Sequence, residues 1–247
     1  MQIKIKELTI TDIFELSQII KKKCRERSNL EEIAQELMNI LYQTFITDSG
    51  KSALVLSRFF KSNAYEYLPD DIKTYIHNQE CKDEIPVQNR YLTLLGTTGD
   101  LDEWNYRKAS NGHQALPLYD PHIVSNIPML SALLNQIGFD IFDLTQPDNN
   151  IIINKEEHKF GVFCVEDAKG NRLIPKQAEF VEPFGIKSVI GFGGRYKTGQ
   201  IYAIIMFCRE RISRETAKLF ISLNPTVKFI TLRQEMTGNI FKLEDKL

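Results

Sequence analysis

One stretch narrows the folds open to this chain more than any other. Phe184–Phe207 (FGIKSVIGFGGRYKTGQIYAIIMF) reads as two strands joined by a tight turn, with a helix directly after it. Ile186–Gly193 and Gln200–Cys208 are rich in β-branched and aromatic residues, and turn residues separate them. Lys197-Thr198-Gly199 is the expected tip, since Gly199 can take a positive φ. In the second strand Ile201, Ala203, Ile205 and Phe207 fall on one face, and Tyr202, Ile204, Met206 and Cys208 on the other. Both sets are largely apolar, so this strand is expected at the centre of a sheet covered on both sides. Gly191, Gly193 and Gly194 resemble a phosphate cradle only superficially. Such a loop needs a helix N-terminus directly after it, and here a turn and a strand follow. They read as sites of a bulge or of close packing, with room beside Gly191 and Gly193 for a ligand.

The rest of the chain supplies helices and further strands around this hairpin. Thr9–Cys24 has apolar residues at near-helical spacing. Ser28-Asn29-Leu30-Glu31 reads as a capping box, Ser28 at the N-cap and Glu31 at N3. It opens a helix with Ile33, Ala34, Leu37, Ile40, Leu41 and Phe45 on one stripe, ending at Asp48-Ser49-Gly50. Ser52–Phe60 and Arg90–Thr97 read as strands that pair antiparallel, with a short helix between them after Leu68-Pro69-Asp70. Asp120-Pro121 opens a helix that Pro128 kinks or divides and Gly138 closes. Asp140–Leu144 is a short strand or turn, Ile151–Asn154 a short apolar segment, and Lys159–Glu166 a strand. Ser213 caps the last helix, Pro225 kinks or breaks it, and Asn239–Leu247 is expected to fray.

Composition excludes several function classes. The 31 basic and 32 acidic residues leave a net charge of −1, so nothing suggests a nucleic-acid partner. Lys21-Lys22-Lys23 reads as a solvated helix end. No stretch approaches the roughly 18 apolar residues of a membrane span, and the N-terminus has no apolar signal core. Cys24, Cys81, Cys164 and Cys208 are widely scattered, with no metal-ligand spacing. They read as free thiols of a cytoplasmic protein, with a spatial pairing of Cys164 and Cys208 left open. His77, His113, His122 and His158 include none singled out as a haem ligand, and no cofactor is named.

The phrases EFVEPFGIKSVIGFGG and GQIYAIIMFCRERISRETAKLF resemble the end of a GAF domain. The resemblance implies an α+β fold, with a central antiparallel sheet and flanking helices. Residues 51–238 would form that domain, and residues 1–50 the N-terminal helices, integral to it or a dimer contact. Residues 239–247 would form a tail. GAF domains are mostly sensor modules for small molecules, and many dimerise through helices. Arg90–Lys228 also resembles a sensory region found before bacterial histidine kinases. That likeness implies signal perception and a signalling partner such as a histidine kinase.

Thr98–Leu118 is the segment to which chemistry is assigned. It shows no period, it is longer than an ordinary connection, and it carries the only tryptophan. Trp104, Asn105, Arg107, Ser110 and His113 offer a stacking surface, an amide, a cation, a hydroxyl and an imidazole. That set suits a polar or anionic small molecule bound between loop and sheet. The competing reading has Trp104 plugging the core and the polar groups satisfying the loop backbone. No catalytic or metal residue is assigned. Asp167, Glu179 and Glu182 read as solvated carboxylates unless one is desolvated. Two alternatives stay open: a thiol redox enzyme of GAF fold acting on a small metabolite, and a dimeric interaction protein.

Overall fold

The structure, a computed structural model, describes residues 1–80, 84–110, 112–145 and 161–242. Two short strands, β1 (Ile3–Lys4) and β2 (Phe45–Ile46), pair in parallel. The main sheet is built from β3 (Leu54–Ala64), β4 (Arg90–Gly99), β5 (Ala115–Pro117), β6 (Phe163–Val165), β7 (Ser188–Arg195) and β8 (Ile201–Cys208). Its order is β5-β4-β3-β8-β7-β6, and all neighbours are antiparallel. The opening hairpin is therefore β7 and β8, with Gly199 at φ 83° in its turn. Strand β8 lies between β3 and β7, and every residue of it is buried. Its two faces divide as the alternation requires: Tyr202, Ile204, Met206 and Cys208 enter one core, and Ile201, Ala203, Ile205 and Phe207 the other.

The first core is closed by α1 (Ile10–Cys24), α2 (Leu30–Thr44), α7 (Arg214–Leu219) and α8 (Asn224–Thr237). Helix α2 lies on the sheet, burying Ile33, Ala34, Leu37, Met38 and Leu41. Each of these except Ala34 contributes roughly 1.5–3 kcal/mol by leaving water. Gly96 lets the helix approach, because a Cβ there would meet the backbone of Ala34 and Gln35. The second core is closed by α4 (Pro121–Ser125), α5 (Pro128–Gln136), α6 (Ile141–Thr145) and the segments before β5 and β7. Pro128 divides α4 from α5, and Pro225 stands in the first turn of α8. Helix α3 (Asp70–Glu80) covers the β5 edge. No helix among the described residues is long and apolar enough to cross a membrane.

Several boundaries differ from the sequence reading, each for a physical reason. Strand β3 runs on to Ala64 through Lys61, Ser62 and Asn63, whose polar groups find Glu235, Gln200 and Thr93. Helix α2 is capped by Asn29, whose side chain accepts from the Glu32 N–H, while Glu32 accepts from the Ser28 N–H. The capping pair thus sits one residue later than expected. Helix α2 also stops at Thr44, because Phe45 and Ile46 pair with β1. Asp140–Leu144 is not a strand: Asp140 accepts from the Phe142 N–H and starts α6. Asn239–Lys242 does not fray. The carbonyls of Asn239 and Ile240 accept from the Leu30 and Glu31 N–H groups, capping α2 with backbone from the far end of the chain. Ile151–Asn154 and the start of the Lys159–Glu166 strand lie outside the described residues.

Candidate functional site

Strand β3 places one charged side chain on the second face of the sheet. Its apolar run is interrupted by Arg58, which pairs with Thr97 of β4 on one side and Ile205 of β8 on the other. Directly opposed residues of an antiparallel pair share a face. Arg58 and Thr97 therefore face the same core as Ile205. Arg58 Nη2 donates to Ser110 Oγ (2.9 Å) and Nη1 to the Gly112 carbonyl (3.4 Å). Among the described residues no carboxylate pairs with this guanidinium. Its Nε is sealed from solvent without a hydrogen-bond partner, and so is Thr97 Oγ1. Burial pushes the Arg58 pKa down to about 10, against a smaller opposing effect of the Tyr75 phenol. Arg58 is half-buried overall, so part of its charge is solvated, and its sealed Nε edge is what the fold leaves without a partner.

The segment after β4 roofs this position. It contains two single helical turns, Asp102–Trp104 and Arg107–Ala109. Asn105 fixes the first: its Oδ1 accepts from the Gly99 N–H, and its Nδ2 donates to the carbonyls of Gly99 and Leu101. Arg107 fixes the second. It is buried, donating to Glu31 of α2 (3.0 Å) and Asp71 of α3 (2.5 Å), with the Phe241 ring against it. Two carboxylates thus neutralise Arg107, and it clasps the roof to α2 and α3. Asn105 and Arg107 act on the loop itself. Ser110 and His113 are the loop residues brought toward Arg58, while Trp104 packs over Gly99, two residues along β4 from Thr97.

Trp104 belongs to an aromatic wall that descends to the sheet. Its ring lies 4.8 Å from Phe184 and 5.6 Å from Phe180, and Phe180 lies 5.0 Å from Phe207 of β8. Phe180 sits in a single wide turn, Gln177–Val181, preceded by Lys176 at φ 56°. His113, at φ 59°, donates its backbone N–H to the Tyr75 hydroxyl (3.0 Å). His113 is exposed. Partial desolvation, then the charges of Arg58 and Lys176, hold the His113 pKa below its ordinary value. The imidazole is therefore neutral at pH 7.

Gly191 and Gly193 lie on the same face, under α5. A Cβ at Gly191 would strike Leu133, and one at Gly193 would strike the Tyr202 carbonyl and stand 3.0 Å from Ile137 Cδ1. The space they leave is filled by α5. The carboxylates before β7 are solvated: Asp167 pairs with Arg211 and Glu182 with Lys169, all exposed. Among the described residues no group of three His, Cys, Asp or Glu side chains could hold a metal ion.

No protein-family model and no curated protein matches the sequence. Solved structures do match. The GAF domain of a phosphoenolpyruvate-protein phosphotransferase from Coxiella burnetii aligns over 94% of this chain and 99% of its own, with a TM-score of 0.51 and 8% identity. The fold is GAF-like. Free methionine-R-sulfoxide reductase from Neisseria meningitidis, solved with its substrate, aligns over 96% of this chain and 98% of its own, with a TM-score of 0.50 and 11% identity. At such identities the likeness extends to the fold alone.

Within this GAF-like frame the thiols lie away from Arg58. Cys24, Cys164 and Cys208 are free, buried and part of the first core. Burial pushes Cys24 and Cys208 up to about 12 and Cys164 up to about 11, so none is a thiolate at neutral pH. Cys81 and His158 lie outside the described residues. Sequence reasoning missed Arg58, Thr97, Tyr75 and Lys176. The signal for Arg58 was present, as a lone cation inside the apolar run of β3. Thr97 and Tyr75 carried none, because only strand register and the docking of α3 bring them to it.

Proposed function

We propose that this chain is a GAF-like sensory module that binds a small molecule on the second face of its sheet, beneath the 98–118 loop. The observation that carries this reading is Arg58: among the described residues the Nε of this half-buried cation and the neighbouring buried Thr97 hydroxyl lack hydrogen-bond partners, under a roof held by dedicated contacts. Folding alone does not favour such a group, whereas a bound ligand would compensate it. The output passes through the terminal helices to a protein partner, the histidine-kinase class being the one the sequence resemblance implies. Strand β3 supports that route, since Arg58 is on one face and Lys61, on the other, is paired to Glu235 of α8.

Trp104 is the only tryptophan and stands in the wall of the site. Its fluorescence therefore reports occupancy. Native mass spectrometry of protein purified under mild conditions, followed by fluorescence titration with released compounds, tests the reading. The expected result is a small molecule that leaves on denaturation and shifts Trp104 emission on return. Absence of any bound or rebinding compound removes the proposal.

A further inference from the structure

We infer that the group recognised at this site is a carboxylate, seated against Arg58 Nε and Thr97 Oγ1, with the apolar body of its carrier along Trp104, Phe180 and Phe184. The inference rests on the small-ligand reading above and adds the chemistry of the ligand.

Arg58 keeps donors and charge that the fold does not use. A guanidinium has five N–H groups in a planar fork. The structure uses one for Ser110 and one for Gly112, both neutral acceptors. Nε–H remains, together with further N–H groups on the terminal nitrogens, enough for a two-point contact with a planar carboxylate. Asp102, Glu103 and Glu179 are exposed, and the other neighbouring acids are committed elsewhere. Glu31 and Asp71 hold Arg107, Asp100 holds Arg209, Asp167 holds Arg211, and Glu182 lies by Lys169. Lys176 adds a second positive charge close enough to act on His113, as Arg58 does. The surplus at this point is positive, although the whole chain is almost neutral. A neutral ligand could accept from Nε, but it would leave the half-buried charge without a counterion. A carboxylate satisfies both.

The carrier follows from the wall. Trp104, Phe180, Phe184 and Phe207 form a continuous aromatic surface reaching the sheet. Such a surface suits a flat or apolar body and offers little to a sugar or a polyphosphate. The ligand class is thus a small aryl or branched aliphatic acid.

The test uses the full chain and matched probes: phenylacetate and 3-phenylpropionate against their neutral amides, with Trp104 fluorescence and calorimetry as readouts. The acids are expected to bind at least tenfold more tightly than the amides. Arg58→Gln is expected to remove that preference, and Thr97→Val to weaken the acids severalfold. Thermal melting checks that each variant folds. Should Arg58→Gln fail to fold, the comparison of acid with amide on the unaltered protein and the Thr97→Val titration carry the same decision. Amides binding as well as acids, or an acid preference surviving Arg58→Gln, overturns the carboxylate inference and leaves the small-ligand reading standing. A protein in which no acid or amide perturbs Trp104, while a compound released from it does, also overturns the inference alone. If no compound of any kind binds, both fall.

Discussion

Lys61 Nζ lies 2.9 Å from Glu235 Oε2, and each side chain is only 3% exposed. The pair fastens the central strand β3 to the last helix. The lysine directs hydrogen bonds to the Ser62 carbonyl and Asn63 Oδ1, and Thr198 donates to Glu235 Oε1. Oε2 itself faces charge without a well-aligned hydrogen bond. Breaking one side strands a buried charge, which costs about 3–5 kcal/mol, whereas replacing both sides with apolar groups is close to neutral. Glu235→Ala is therefore expected to lose stability in that range, and Lys61→Met combined with Glu235→Leu to recover most of it. Urea denaturation of Glu235→Ala and of the double variant checks this, and a Glu235→Ala protein that loses nothing measurable would remove the account.

Arg58 is expected to behave in the opposite way. It is half-buried and holds no carboxylate partner among the described residues, so its partial desolvation outweighs its two hydrogen bonds. Arg58→Met in ligand-free protein is expected to raise stability by about 1 kcal/mol. The same variant loses ligand binding. A marked fall in Tm on this substitution would instead make Arg58 a structural tie.

The thiols give a pH prediction with a definite sign. Burial raises Cys24 and Cys208 from 9.0 to about 12. In the unfolded chain these groups lose protons above pH 9, while the folded chain keeps them. The unfolded state then binds fewer protons, so stability falls as pH rises. The contribution is complete below pH 9 and is lost progressively between pH 9 and about 12. Equilibrium unfolding across that window measures it. In a Cys81→Ser background the other three thiols are expected to resist a thiol reagent until the protein unfolds. Rapid labelling of native protein would revive the redox alternative.

The return of the chain to α2 predicts a cost for truncation. Asn239 and Ile240 cap the helix through their carbonyls, Asn239 Nδ2 donates to the Ser28 carbonyl, and Ile240 is buried. Burial of one isoleucine is worth about 1.5–3 kcal/mol and each hydrogen bond about 1 kcal/mol. Deleting residues 239–247 is expected to lower stability by about 5 kcal/mol. An unchanged melting temperature would mean that this segment is not docked in solution.

The proposed output through the terminal helices predicts association. Phe14 on α1 and Phe229 and Met236 on α8 are 65%, 70% and 70% exposed. Large apolar side chains at such exposure on two packed helices favour a second copy of the chain. Sedimentation equilibrium is expected to give a dimer, and Phe14→Glu with Phe229→Glu a monomer. A monomer at high concentration in the unaltered chain removes the homodimer.

How far the sequence could be read depended on the range of the interactions. The two faces of β8 were legible because alternation is a local property of an extended chain, and the breaks at Pro128 and Pro225 because a missing N–H is local too. The α2 cap was displaced by one residue, since Glu31 is recruited by Arg107, 76 positions away. Arg107 and Asn105 stood out in the sequence as binding-type side chains. The fold spends them on holding the roof.

The sequence by itself determined the α+β class, the central hairpin, the helical stripes and the loop that carries the only tryptophan. These follow from periods of two and 3.6 residues and from turn chemistry. Only the tertiary structure decided which polar groups are satisfied. Pairing partners for Arg107, Lys61 and Arg209 come from distant segments, and among the described residues Arg58 meets no carboxylate. Satisfaction of a buried charge depends on what folding brings within about 3 Å, and a linear pattern does not contain that distance.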